Sequence, residues 1–200
     1  MKELGVVTHG EFFAMIKNAS MFVDPNHEGL DVIKIIASKS GVHAFSTNRM
    51  FVSAQRLGRA FLPEPVEFTI YPGEGEAVLK YFRVIPRNSL ETIHIESDGE
   101  RVQFRHLTDV ILQVPVRKSS PVLDVAVDTF IGKPRESISH PSITMNREIF
   151  RTLGKLVFPD RNTDHKLRFT TLGNYHPMRK PTIVLDIGNW LQLTFLGIHP

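Results

Sequence analysis

At 200 residues, with 42% hydrophobic and 22% charged side chains, the chain is long enough to bury a substantial core as one domain or two small ones. A formal charge of +3 permits nucleic-acid binding through local patches without demanding it, and the absence of cysteine excludes disulfides and thiolate metal sites. No apolar run approaches the ~18–20 residues that span a bilayer, and the stretch MKELGVVTHGEFF has neither an apolar segment nor a small-residue cleavage site, so a cytoplasmic protein without a membrane role is expected.

The first element opens at Thr8, with Glu11 three residues on, the spacing of a capping box that satisfies the free amides of a helix start. Phe12, Met15, Ile16, Ala19, Phe22 and Val23 then recur at helical intervals, and Asp24-Pro25-Asn26 is expected to end the helix. Strands are predicted for Val32 to Ala37, Val42 to Thr47 and Met50 to Leu57, joined as a meander. The order then repeats. Val66 to Tyr71 alternates as a strand, Pro72-Gly73 breaks it, and a helix follows from about Glu76 to Ile85. Asp98-Gly99 lies between Ile93, Ile95 and Val102, Phe104 as a hairpin turn, and Val110 to Val116 adds a strand.

After Pro115 the punctuation Ser119-Ser120-Pro121, Gly132-Lys133-Pro134 and His140-Pro141 predicts a crossing segment with little regular structure. A third unit opens with strand Ile143 to Met145 and helix Arg147 to Val157. It closes with strands near Lys166 to Thr171, Thr182 to Ile187 and Trp190 to Leu196. The expected class is α+β: repeated β-α-β-β(-β) units with curved antiparallel sheets and helices on one side. The units fall at about 1–62 and 63–116, forming one domain, and at 142–200, with 117–141 as the crossing segment.

Two helices carry cations opposite their apolar residues. In the third, Arg147, Arg151 and Lys155 stand four apart and drift only ~40° per step, facing away from Ile149, Phe150, Leu153, Leu156 and Val157. In the second, Lys80, Arg83 and Arg87 oppose Ala77, Val78, Tyr81, Phe82 and Ile85. The first helix has Lys17 alone on its polar face. Such rows suit successive phosphates and read no bases; the plain alternative is a solvated helix face. Catalytic and metal-ligand patterns are absent from the sequence. Gly73-Glu74-Gly75-Glu76 lacks the spacing of a dinucleotide loop, and Asp160-Arg161-Asn162-Thr163-Asp164 has His165 where a calcium loop needs glycine. No enzyme, cofactor or metal is expected. Trp190 and Phe130 are expected in the core.

Three stretches resemble a known family. Asp31 to Ala37, Gly41 to Asn48 and Phe51 to Ala54 are similar to the first half-domain of the bacterial DNA sliding clamp, the β subunit of DNA polymerase III, with Asn48 where that family carries aspartate. Ser120 to Asp124 resembles the segment between clamp domains, Ile143 to Asn146 with Phe150 and Leu153 the opening of a half-domain, and Lys180 to Val184 with Leu193 to Ile198 its C-terminal hairpin. The resemblance implies a non-enzymatic processivity factor. Clamps of this family close rings of twelve half-domains around duplex DNA, with helices lining the hole. It implies duplex DNA and a DNA polymerase or other replication protein as partners, a homo-oligomeric ring, and a client groove near Leu196 and Ile198. About three half-domains make this a shortened form, either a minimal viral or accessory clamp or a clamp fold that binds replication partners and does not encircle DNA.

Overall fold

In a computed structural model of the protein, the structure describes residues 1–60, 62–82, 90–130, 135–137, 147–159, 167–172, 182–188 and 190–196. The chain forms β1 (Lys2–Thr8), α1 (His9–Ser20), β2 (Ile33–Ser38), β3 (Gly41–Thr47), β4 (Phe51–Leu57), β5 (Val66–Ile70), α2 (Pro72–Tyr81), β6 (Thr92–Ser97), β7 (Arg101–His106) and β8 (Asp109–Pro115). There follow α3 (Pro121–Phe130), β9 (Arg135–Ser137), α4 (Arg147–Leu153), β10 (Leu167–Leu172), β11 (Thr182–Ile187) and β12 (Leu191–Leu196). The strands make two antiparallel sheets, one of four strands in the order β1-β6-β7-β8 and one of eight in the order β5-β2-β3-β4-β12-β11-β10-β9. The expected α+β class with antiparallel sheets holds. No helix among the described residues is long and apolar enough to cross a membrane.

The capping box forms as read. Thr8 Oγ1 accepts from the Glu11 amide at 3.2 Å, and Glu11 Oε2 accepts from the Thr8 amide at 2.7 Å. The helix stops at Ser20, earlier than the Asp24-Pro25-Asn26 signal. Phe22 is nonetheless buried, and its amide donates to the Ala19 carbonyl in the closing turn. Phe12 packs on Phe104 of β7, with centroids 5.5 Å apart, and so ties α1 to the smaller sheet. Phe22 meets Phe51 of β4 at 5.2 Å, and Phe51 meets Phe195 of β12 at 5.5 Å, so one aromatic row crosses the seam of the larger sheet.

That seam joins residues far apart in sequence: β12 pairs antiparallel with β4, Leu193 opposite Ser53 and Phe195 opposite Phe51. The strand period of two divides the larger sheet into two covered faces. Ile33, Ile35 and Ala37 of β2 join the core that includes Phe12, Met15 and Ile16. Val32 belongs with Phe45, Leu123 and Val127, a second cluster on the opposite side under α3, with Ile36 packed against it.

Three expectations are corrected here. The crossing segment contains a helix, α3: Leu123 and Val127, four apart, are buried, Ser120 Oγ accepts from the Leu123 amide at 3.3 Å, and Pro121 opens the helix where its missing N–H costs nothing. For the same reason α2 starts at Pro72, four residues before the expected Glu76, and ends at Tyr81. On α2 the buried residues are Gly75, Val78 and Leu79, followed by Phe82, while Tyr81 is exposed. α4 closes at Leu153, before Gly154, and turns a different face inward from the one expected: Ile149 is 2% exposed and Phe150 57%. Ile149, Leu153 and Leu156 form one narrow strip, and a helix this short contacts the core only along it. Strand Ile143 to Met145 lies outside the described residues. Trp190 is buried, as expected, and meets Phe158 edge-on at 5.8 Å; the side chain of Phe130 lies outside the described residues.

Lys34 fixes α3 to the sheet. Its Nζ donates to Asp124 of α3 at 2.7 Å and pairs with Glu67 of β5 at 3.0 Å, and the Ser119 hydroxyl donates to the same Asp124 oxygen. Burial works against the Lys34 charge, yet the hydrogen bonds to Asp124 and Glu67 outweigh it and raise its pKa above the usual lysine range. Burial likewise disfavours the Asp124 carboxylate, and the Lys34 and Ser119 hydrogen bonds reverse the balance, holding it below the usual aspartate range.

Candidate nucleic-acid interface

Helix α1 touches α2 directly and holds the segment after α4 through Asn18. On one side Gly75 of α2 lies against Ile16: a Cβ there would stand 2.8 Å from Ile16 Cδ1, so only glycine permits this approach without a shift. Lys17 Nζ bridges the same pair of helices, 2.7 Å from Glu76 Oε1. The hydrogen bond from Lys17 is the main reason the Glu76 carboxyl titrates below its ordinary range, with the Lys17 charge next. On the other side Asn18 holds the segment after α4. Its Nδ2 donates to the Val157 carbonyl and its Oδ1 accepts from the Val157 amide, both at 2.8 Å. Gln55 of β4 braces the arrangement by donating from Nε2 to the Met15 carbonyl at 2.9 Å. Asn18 and Gln55 are buried, and the sequence carries no sign of their role, because a buried amide inside an amphipathic helix or a strand looks like one more polar residue.

The sequence-predicted cations divide on this framework. Arg147, Arg151 and Lys155 are all exposed, and none has an ion-pair partner among the described residues. The Gly154 amide donates to the Phe150 carbonyl and the Lys155 amide to Thr152, so one further turn carries Lys155 beyond the regular helix. Lys80 on α2 is exposed as well. Lys17 is half-buried and committed to Glu76, which makes it a helix tie. Arg83, Arg87 and Ile198 lie outside the described residues. So does the side chain of Leu196, whose backbone pairs with Thr182 at the end of β12. The structure therefore brings one complete basic row, on α4 and the turn after it, and one cation of a second, on α2, to the surface, and leaves the expected client groove undescribed.

Sheet edges differ in the same informative way. The β1 edge is capped by Arg59, whose backbone exchanges hydrogen bonds with Val6 at 2.7 and 2.8 Å. On β5 the Thr69 amide donates to the Arg117 carbonyl at 3.0 Å. Arg117 is itself held by a two-pronged bond to Glu74, both at 2.8 Å. β8 pairs with β7 and has no backbone partner on its outer side among the described residues. Beside that bare edge Val110 is 52% exposed and Leu107 69%, the latter in a left-handed conformation at φ +52°.

No family model matches the chain, and no curated protein is detectably similar in sequence. Solved structures do match in fold. The DNA polymerase sliding clamp of Pseudomonas aeruginosa with a ligand superposes with a TM-score of 0.62 at 11% identity, covering 98% of this chain and 64% of that one. A putative DNA polymerase III beta subunit from Eubacterium rectale gives 0.60 at 10% identity, with the same coverages of 98% and 64%. The DNA polymerase III beta subunit of Thermotoga maritima gives 0.59 at 9%, again over 98% of this chain and 64% of that one. The chain thus spans less than two thirds of the length of these clamps and shares their fold.

Proposed function

We propose that the chain is a clamp-like processivity factor, which holds a DNA polymerase or other replication protein on duplex DNA without reading its sequence. The observation that carries this reading is the row Arg147, Arg151 and Lys155, exposed and without ion-pair partners among the described residues, on α4 and the turn after it in a clamp-type fold. Sliding requires attraction to phosphates with no commitment to bases, and a guanidinium or ammonium row supplies that. Lys80 adds a cation from α2. No step in this function calls for a catalytic group, and its setting is the cytoplasm.

Retention on DNA is better served by a closed assembly than by a single chain. The β8 edge, without a backbone partner among the described residues and with exposed Val110 and Leu107, supports one, since an unpaired strand edge bordered by apolar side chains is a template for a second chain. The chain is organised as half-domains near 1–62 and 63–116, a connection at 117–141 and a third half-domain at 142–200. If the ring holds twelve half-domains, as the family resemblance implies, four copies supply them.

Replacing Arg147, Arg151 and Lys155 together by alanine tests the reading. Every phosphate that the variant no longer neutralises should reduce the log–log salt slope of duplex binding by ~0.9, while thermal stability stays nearly constant. An unchanged slope removes the DNA-tracking role of α4. Light scattering tests the assembly: a tetramer mass is expected, and a monomer throughout the micromolar range overturns the ring.

A further inference from the structure

Phe150 is the α4 residue that hydrophobic periodicity assigns to the core and the fold leaves in solvent, 57% exposed. Residues three and four apart are surface neighbours on a helix, so Arg147 adjoins Phe150 on one side and Gly154 follows it on the next turn. At about 100° per residue, the solvent face runs from Phe150 through Gly154, Arg147 and Arg151 to Lys155, with Glu148 on the flank farthest from the ring.

Gly154 is a second, independent observation. Its backbone is outside the left-handed region, and among the described residues a Cβ added there would meet the Phe150 and Arg151 carbonyl oxygens alone, at 3.5 and 3.7 Å, which is ordinary van der Waals distance. Neither backbone conformation nor packing against the described residues requires glycine. Helical side chains lean toward the N-terminus, so a larger residue at 154 would lie over Phe150. Glycine leaves the ring open.

We propose that this face of α4 takes single-stranded DNA, with an unstacked base lying on the Phe150 ring while Arg147, Arg151 and Lys155 hold the flanking phosphates. The inference rests on the reading of α4 as a DNA-facing helix and specifies the nucleic acid it meets. A base inside a duplex has both faces covered by its neighbours, whereas a single strand offers a free face, and stacking on an aromatic ring tolerates every base. Charge selects this occupant over an apolar protein partner, because Phe150 is the one aromatic between Arg147 and Lys155 and shares its face with three cations. The ligand is then a duplex continued by a single-stranded extension, met at the point where pairing ends.

Fluorescence anisotropy on the full chain tests this with a blunt duplex and the same duplex bearing a single-stranded extension that contains 2-aminopurine. The wild type should bind the extended DNA more tightly and quench the 2-aminopurine. Phe150→Ala should lose about 5- to 100-fold on the extended DNA and nothing on the blunt duplex, whereas Phe150→Trp should retain binding. Gly154→Leu, with Phe150 in place, should also weaken the extended complex. Equal affinity of Phe150→Ala and wild type for the extended DNA overturns the stacking role. The DNA-facing reading of α4 survives that result if the triple alanine variant still weakens the blunt complex. A wild type that binds neither DNA overturns both. If Phe150→Ala lowers the oligomeric mass and leaves DNA binding unchanged, Phe150 belongs to a protein interface and the proposal fails.

Discussion

α1 and α4 both present apolar residues at helical spacing with cations on the polar side, yet the fold uses them in opposite ways. α1 buries eight of its twelve residues, carries a complete capping box, and spends its one basic side chain on a tie to α2. α4 is seven residues long, buries Ile149 alone, and turns Arg147, Arg151 and Phe150 outward. The cation pattern has meaning only together with how much of the helix circumference the core takes. A helix enclosed by two sheets has no face left for a ligand, whereas one attached along a single strip keeps most of its surface.

The largest expected effect breaks the buried partner. Phe12→Ala should cost about 3–5 kcal/mol through lost burial and cavity formation, measured by denaturant unfolding. A loss under about 1 kcal/mol would deny α1 its place between the sheets. Asn18→Ala comes next, since it strands the amide and carbonyl of Val157 at about 1–3 kcal/mol for each group left unpaired. It should also loosen the segment after α4 in hydrogen exchange, and unchanged protection there would show that α4 is held by other interactions.

α3 lies between these extremes, and pH sharpens its case. Asp124→Asn should cost about 1–2 kcal/mol near neutral pH by weakening a charge-assisted bond to Lys34. The folded Asp124 carboxyl titrates below its unfolded range, so the stabilisation is present above the ordinary aspartate range and is lost as pH falls through the lower folded value. The gap between wild type and variant should therefore close on acidification; a gap that stays constant would mean the pair contributes through shape alone. Phe150→Ala should be the mildest, within about 0.5 kcal/mol for an exposed site. A cost of several kcal/mol would put the ring back in the core.

How much of this was legible follows the range over which each signal acts. The α1 start, the meander and the Asp98-Gly99 hairpin are local agreements of turn chemistry and periodicity, and they stand as read, with Gly99 at φ +97°. α3 was hidden because Ser119-Ser120-Pro121 is both loop punctuation and a helix start, and only the tertiary burial of Leu123 and Val127 decides between them. The inward face of α4 is not legible in the sequence because Ile149 and Phe150 are adjacent apolar residues about 100° apart, and a one-strip attachment admits only one. The β4–β12 seam and the Asn18–Val157 bridge join positions so distant in sequence that no local pattern marks them.

The seam between β4 and β12 also sets the order of events on the ribosome. β4 ends at Leu57 and β12 begins at Leu191, so the middle of the larger sheet stays an open edge until a late part of the chain emerges. At ~5–20 residues per second, that interval is on the order of ten seconds. Throughout it Phe51 lacks the Phe195 ring that later lies beside it, and the β4 backbone lacks its partner strand. A nascent chain in this state can pair with another copy through the same edge. Chaperone capture between the synthesis of β4 and of β12 is the expected remedy, and slowing translation of residues 60–190 should raise the aggregated fraction without altering the finished protein.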